Sequence, residues 1–336
     1  MSRSARACLA LLAACAFVLA RCDATASAPP GAPGAGGAPA PAEGAGGPVD
    51  LVEASGIAVR GAGKVAVIGG DETKDRLWAV DLADLAKRWE LPLPRSLPML
   101  DDVEALAPWG EHALFVACSQ SRTRTRERVK PERNRLALVT LSPDAREVRH
   151  AAIFEGLRDH LVTRLLAGGA VPLADPQAVA GQVAARGGLN VEGLAAWKGR
   201  LLVGLRSPTA REGGAIVIPI RNPEALFAGG AAARPDLDKP IVLPTAPGEG
   251  IRDMAADGDA ILVLLGPRGD VPEADFRVVR WNPDTGDLKE VRAPGLADIA
   301  VPEGIAPDPD GGLLVVQDRK PPLPKQILFR LKVADP

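Results

Sequence analysis

Short apolar runs recur along this chain, and each follows a tetrad that ends in alanine. The tetrads are Ser55-Gly56-Ile57-Ala58, Glu104-Ala105-Leu106-Ala107, Glu192-Gly193-Leu194-Ala195, Arg252-Asp253-Met254-Ala255 and Glu303-Gly304-Ile305-Ala306. The runs that follow them begin at Val65, Leu114, Leu201, Ile261 and Leu313. Runs this short, bounded by turn residues and rich in branched side chains, predict buried strands rather than helices. A third apolar run closes each unit, at residues 77–80, 136–139, 215–218, 278–281 and 327–330. In the fourth unit that run ends at Asn282-Pro283-Asp284-Thr285-Gly286, a turn sequence leading to a fourth strand near Leu288. Repeated units of about four strands predict an all-β chain, a β-propeller with five recognisable four-stranded blades.

Between the repeat alanines the spacings are 49, 88, 60 and 51 residues. The long second interval carries Phe154, Leu157, Leu161, Leu165 and Leu166 near helical spacing, and then Asp175-Pro176, a helix-start pair, before Gly187-Gly188. We read it as a short helical insertion between blades two and three, at about residues 153–187. A sixth, degenerate blade in the same interval is the alternative. The last unit ends after its third strand, so residues 49–52 are the candidate for its missing outer strand, which would close the ring and remove exposed sheet edges.

In a propeller, the loops entering the innermost strands and those leaving the second strands open on one face. That geometry predicts a channel mouth shared by Ser55, Glu104, Glu192, Arg252 and Glu303, with Asp71, Glu72, Ser121, Arg122, Arg206, Ser207, Arg268, Asp318 and Arg319 beside them. Glu104, Glu192 and Glu303 are the candidate catalytic groups, and Arg122, Arg206, Arg252 and Arg319 the candidate binders of an anionic substrate. Carboxylates crowded at one axis repel each other. Arginines can neutralise them internally, or a hard cation such as calcium can bind, with Glu104, Glu192, Glu303 and Asp318 as ligands. A purely structural role, acids bonded to backbone amides and arginines, is the third reading. The basic stretch 122–135 could reach a phosphate ester, whose oxygens match the guanidinium fork, or be a solvated loop.

The segments Asp102-Val103-Glu104-Ala105-Leu106-Ala107, Asn190-Val191-Glu192-Gly193-Leu194-Ala195, Arg206-Ser207-Pro208 and Gly250-Ile251-Arg252-Asp253-Met254 resemble a bacterial family of exported propellers classed as a domain of unknown function, itself distantly similar to phytase-like esterase propellers. The resemblance runs from about Leu51 to Val333; the family has no assigned reaction, and if the chain is an enzyme the distant similarity implies a hydrolase of phytase-like or esterase type. Where that family often has Gly-Ser-His-Ser-Arg, this chain has Cys118-Ser119-Gln120-Ser121-Arg122. Gln120 cannot accept a proton as histidine does, which weakens any mechanism that needs that base.

Arg3 and Arg6 precede an uncharged stretch at residues 7–20, the form of an export signal occupying about residues 1–26. Leu19-Ala20-Arg21-Cys22 also resembles a lipoprotein signal, with Cys22 as the lipidation candidate and Arg21 out of pattern. Residues 27–48 are almost wholly Ala, Pro, Gly and Ser and read as a flexible tether to a folded domain at 49–336. The expected location is the periplasm, the outer membrane through a lipid anchor, or the medium. With 40 Lys and Arg against 42 Asp and Glu, no global basic field points to nucleic acid. Three scattered histidines and four cysteines form no zinc motif or disulfide framework. Walker loops, dinucleotide fingerprints and nucleophile elbows are missing from the sequence. Two functions follow as expectations: a hydrolase acting at the channel mouth, or a non-catalytic monomeric propeller that binds an anionic small molecule or an envelope protein.

Overall fold

The computed structural model describes residues 53–70, 74–123, 128, 130–167, 171–181, 188–269, 275–318 and 328–334. The expectations for the export signal, Cys22, the tether, the closing strand at 49–52, Asp71, Glu72 and Arg319 fall outside these residues. Five antiparallel sheets form the blades. Blade one is β1 (Ala54–Arg60), β2 (Val65–Gly70), β3 (Arg76–Asp81) and β4 (Asp84–Pro92). Blade two is β5 (Val103–Trp109), β6 (Ala113–Cys118), β7 (Arg135–Leu141) and β8 (Val148–Glu155). Helices α1 (Leu157–Leu166) and α2 (Pro176–Gly181) follow. Blade three is β9 (Asn190–Trp197), β10 (Arg200–Ser207), β11 (Ala215–Ile220) and, after the one-turn helix α3 (Ala225–Ala228), β12 (Ile241–Leu243). Blade four is β13 (Glu249–Asp257), β14 (Ala260–Pro267), β15 (Arg277–Trp281) and β16 (Leu288–Val291). Blade five shows β17 (Pro302–Pro307), β18 (Leu313–Gln317) and β19 (Leu328–Leu331) among the described residues.

The runs are apolar throughout because both faces of each blade are buried. Successive strand residues point to opposite faces, and here each face packs on a neighbouring blade. On β14, Ile261, Val263 and Leu265 join the core shared with blade three, while Leu262 and Leu264 join the core shared with blade five. On β18, Leu313 and Val315 face blade four, and Leu314 and Val316 meet Ile57, Ala66 and Ile68 of blade one. That last core joins the two ends of the ring, aided by Arg330, which donates to the Leu82 carbonyl at 2.7 Å. Ring closure among the described residues is therefore a matter of side-chain packing between β17–β19 and blade one.

The tetrads lie on the innermost strands, whose glycines sit where blades approach closely. A Cβ on Gly304 would fall 2.5 Å from the Ser55 carbonyl oxygen, and one on Gly56 would fall 2.7 Å from Leu106 Cδ1. Small residues are needed there for packing.

The long interval contains helices and no sixth sheet among the described residues. Phe154 belongs to β8, so the helix starts at Leu157, three residues later than the apolar spacing alone suggested. Leu157, Leu161, Val162 and Leu165 of α1 pack into the core between blades two and three. Thus the insertion fills an existing inter-blade gap at its rim.

Candidate functional site

The register of the innermost strands explains how five repeat residues come to face one mouth. In every blade the pairing skips one residue: Ala54 pairs with Gly70 and Gly56 with Gly69, Val103 with Cys118 and Ala105 with Ala117, Val191 with Leu205 and Gly193 with Gly204. The same skip lies between Ile251 and Asp253 and between Pro302 and Gly304. The extra residues are Ser55, Glu104, Glu192, Arg252 and Glu303. A bulge residue leaves the alternating pattern and its side chain is re-aimed. The repeat is therefore a ring of five bulges.

Three of these residues meet directly. Arg252 Nε lies 3.1 Å from Glu192 Oε2, and its Nη2 donates to Glu303 Oε1. Glu192 Oε1 also accepts from Arg206 Nη1 at 2.9 Å and from Asn190 Nδ2 at 2.7 Å. Arg206 in turn reaches the Pro267 carbonyl at 3.3 Å. Arg252 also lies over the Phe276 ring, 5.9 Å from its centroid. Glu192, Arg252 and Glu303 are all buried, whereas Glu104 is half-buried. Burial pulls the Arg252 pKa down, but Glu192, Glu303 and Glu104 outweigh it and raise it above the ordinary value. Burial also pushes the Glu303 carboxyl up to about 7, with Arg252 opposing and Glu192 adding. The arginine thus holds two acids, yet it does not restore both to ordinary acidity.

Beside them sits Asp253, which is fully buried and whose importance the repeat alignment did not reveal. Its Oδ1 accepts from the Met254 N–H at 2.7 Å, and its Oδ2 from the Ile305 N–H of the next blade at 2.8 Å. Burial raises its pKa well above the carboxylate range despite those two bonds, and the charges of Glu192 and Glu303 raise it further. The one signal available in sequence was an acid in the tetrad slot that is Gly or Ala in every other repeat.

A second charged cluster occupies the blade-two side. Asp101 Oδ1 lies 2.6 Å from Lys74 Nζ, and its Oδ2 lies 2.9 Å from Lys130 Nζ and 3.0 Å from Arg133 Nε. Asp102 bonds Arg133 Nη1 at 2.6 Å. Lys130 and Arg133 are therefore tied down in blade two. Within the basic stretch 122–135, residues 124–127 and 129 lie outside the described residues, while Arg128 is exposed. Gln120 is buried, with φ of 57°, and its Nε2 donates to the Cys118 and Arg135 carbonyls at 3.0 Å each. It acts as a loop brace.

Arg122 is half-buried near this cluster, and Asp318 is half-buried at the exit of β18. Among the described residues there is no group of three histidine, cysteine, aspartate or glutamate side chains arranged to hold a metal ion. Nor is any described helix long and apolar enough to cross a membrane.

Residues 142–319, running from the β7–β8 turn to the exit of β18, match the family model described as a protein of unknown function, DUF3616. The chain belongs to the DUF3616 family. No curated protein matches its sequence. Among solved structures, a glutaminyl cyclase of Myxococcus xanthus is similar at 13% identity over 84% of this chain and 92% of that one, with a TM-score of 0.45. A GH43 protein of Bacillus licheniformis is similar at 8% identity over 84% and 52%, with a TM-score of 0.42. The Pan2 WD40 domain of Neurospora crassa is similar at 11% identity over 79% and 73%, with a TM-score of 0.35. For this DUF3616 chain, function has to be argued from its own side chains.

Proposed function

We propose that this DUF3616 propeller is an exported binding module that holds a small anionic ligand on its channel-mouth face without transforming it. The observation that carries this reading is Arg252, ion-paired with Glu192 and with Glu303 at once. Acids paired with a buried arginine act as a brace across blades three, four and five. Arg128 and Arg268 are exposed, and Arg268 donates to the Thr209 hydroxyl at 3.4 Å. Exposed guanidinium groups beside acids that are already paired with a buried arginine favour an anionic partner. Export rests on the charged and apolar pattern of residues 1–26.

One observation favours the hydrolase reading instead. A carboxyl titrating near neutrality is suited to general acid–base work, and Glu303 is such a group. The two readings separate in an assay of aryl phosphate and aryl carboxylate ester. The binding reading expects no turnover above buffer, together with saturable binding of the phosphate. Turnover that is abolished by Glu303→Gln overturns it in favour of the hydrolase.

A further inference from the structure

The first helix of the insertion carries an arginine on its apolar stripe. Arg158 shares that stripe with Leu161, Val162 and Leu165, and it is only 2% exposed. Its Nη1 donates to the Gln120 carbonyl. Among the described residues its Nε and Nη2 have no hydrogen-bond partner and no ion pair reaches it. The half-buried Arg206 and the buried Arg252 of the mouth are matched by carboxylates. Arg158 is not.

The unmatched atoms form one edge of the guanidinium plane. Nε–H and Nη2–H project in parallel, and that fork fits two oxygens of one oxyanion. Elsewhere in this chain the same edge does this work: Arg277 holds Glu249 with Nε at 2.7 Å and Nη2 at 2.8 Å, and Arg76 holds Asp75 in the same way. Burial lowers the Arg158 pKa to about 10, and the positive charge of Arg122 adds to that effect. Two cationic groups thus bear on one buried place. Gln120, which Arg158 contacts, also leaves its own Oε1 without a partner. That oxygen can only accept a hydrogen bond.

We infer that Arg158 is the buried anchor of an oxyanion site between blade two and the insertion helix, with Arg122 supplying further positive charge and Gln120 an acceptor. This rests on the anion-binding reading above and names the chemistry of its ligand. Monohydrogen phosphate, or a phosphate monoester in its singly charged form, offers oxygens for the arginine fork and a hydroxyl for Gln120 Oε1. A carboxylate offers only the oxygens. The structure therefore assigns phosphate-type ligands ahead of carboxylates.

The test uses full-length mature protein, dialysed free of phosphate, with inorganic phosphate and acetate as probes at matched ionic strength. Binding is read by melting temperature and by native mass spectrometry, because a ligand that binds only the folded state raises the melting temperature with its concentration. Phosphate should raise the melting temperature and add its mass to the wild type, with acetate at least tenfold weaker. Arg158→Met should abolish both signals, and Arg122→Gln should weaken phosphate binding several-fold. Phosphate binding that persists in Arg158→Met overturns this site while leaving the anion-binding reading intact. Acetate binding as tight as phosphate overturns the phosphate assignment. Absence of either signal in folded wild type overturns both the site and the wider reading.

Discussion

Two buried acid clusters face the same end of this propeller and behave oppositely. In blade two, Asp101 is surrounded by Lys74, Lys130 and Arg133. Burial works to raise its pKa, but the three cations outweigh it and hold the carboxyl well below the usual range. At the axis, Glu303 shares Arg252 with Glu192 and lies near Arg206, so acids and cations are about matched, and burial pushes its carboxyl up to about 7. Burial is the first influence in both places. The local count of cations per carboxylate decides which way the acid moves. Position at the mouth of a channel therefore does not by itself mark an acid as reactive.

The largest effect expected from breaking this contrast is at Arg252. Arg252→Met leaves Glu192 and Glu303 buried without their shared cation, and breaking a buried pair by removing one partner typically costs about 3–5 kcal/mol. Urea denaturation of folded protein measures it. A loss near that of an exposed ion pair, about 1 kcal/mol or less, would show that water already reaches the two acids. Asp101→Asn should cost less, about 1–3 kcal/mol, because Lys74 and Lys130 are nearly half exposed and can turn to solvent. If Asp101→Asn proves the more damaging change, the axis is not the stronger brace.

How far the contrast was visible beforehand depends on distance along the chain. The blades were legible because each strand is apolar on both faces, which produces continuous runs such as residues 261–265 and 313–316. The shared mouth was legible because the tetrads repeat. The bulge that aims Ser55, Glu104, Glu192, Arg252 and Glu303 was not, since a skipped residue leaves no change in composition. Helix α1 was placed too early because Phe154, a residue of β8, happens to lie at helical spacing from Leu157 and Leu161. Lys74 and Asp101 come together only through the pairing of blades. Arg158 left a usable trace, a charge in register with Leu161, Val162 and Leu165, which marks a buried cation in need of a partner.

The smallest effect is also the sharpest, because the two clusters oppose each other in sign. Glu303 has a folded pKa of about 7 against an ordinary 4.5. Between those values the folded chain binds more proton than the unfolded one, so its contribution to stability is full below about pH 4.5 and is lost as pH rises towards about 7. Asp253, raised for the same reason, contributes in the same direction. Asp101 is lowered from an ordinary 3.8, so its contribution is present above that value and is lost as pH falls further. Urea midpoints from pH 3 to 8 should therefore decline between pH 4.5 and 7 more steeply in wild type than in Glu303→Gln. One full proton corresponds to about 1.4 kcal/mol per pH unit, and the difference in slope should stay below that. His160, whose pKa is lowered chiefly by burial, is common to both proteins and cancels in the comparison. Identical slopes would mean that Arg252 keeps Glu303 ionised throughout. In that case the axis would be as fully neutralised as blade two, and the remaining argument for acid–base chemistry at the mouth would be gone.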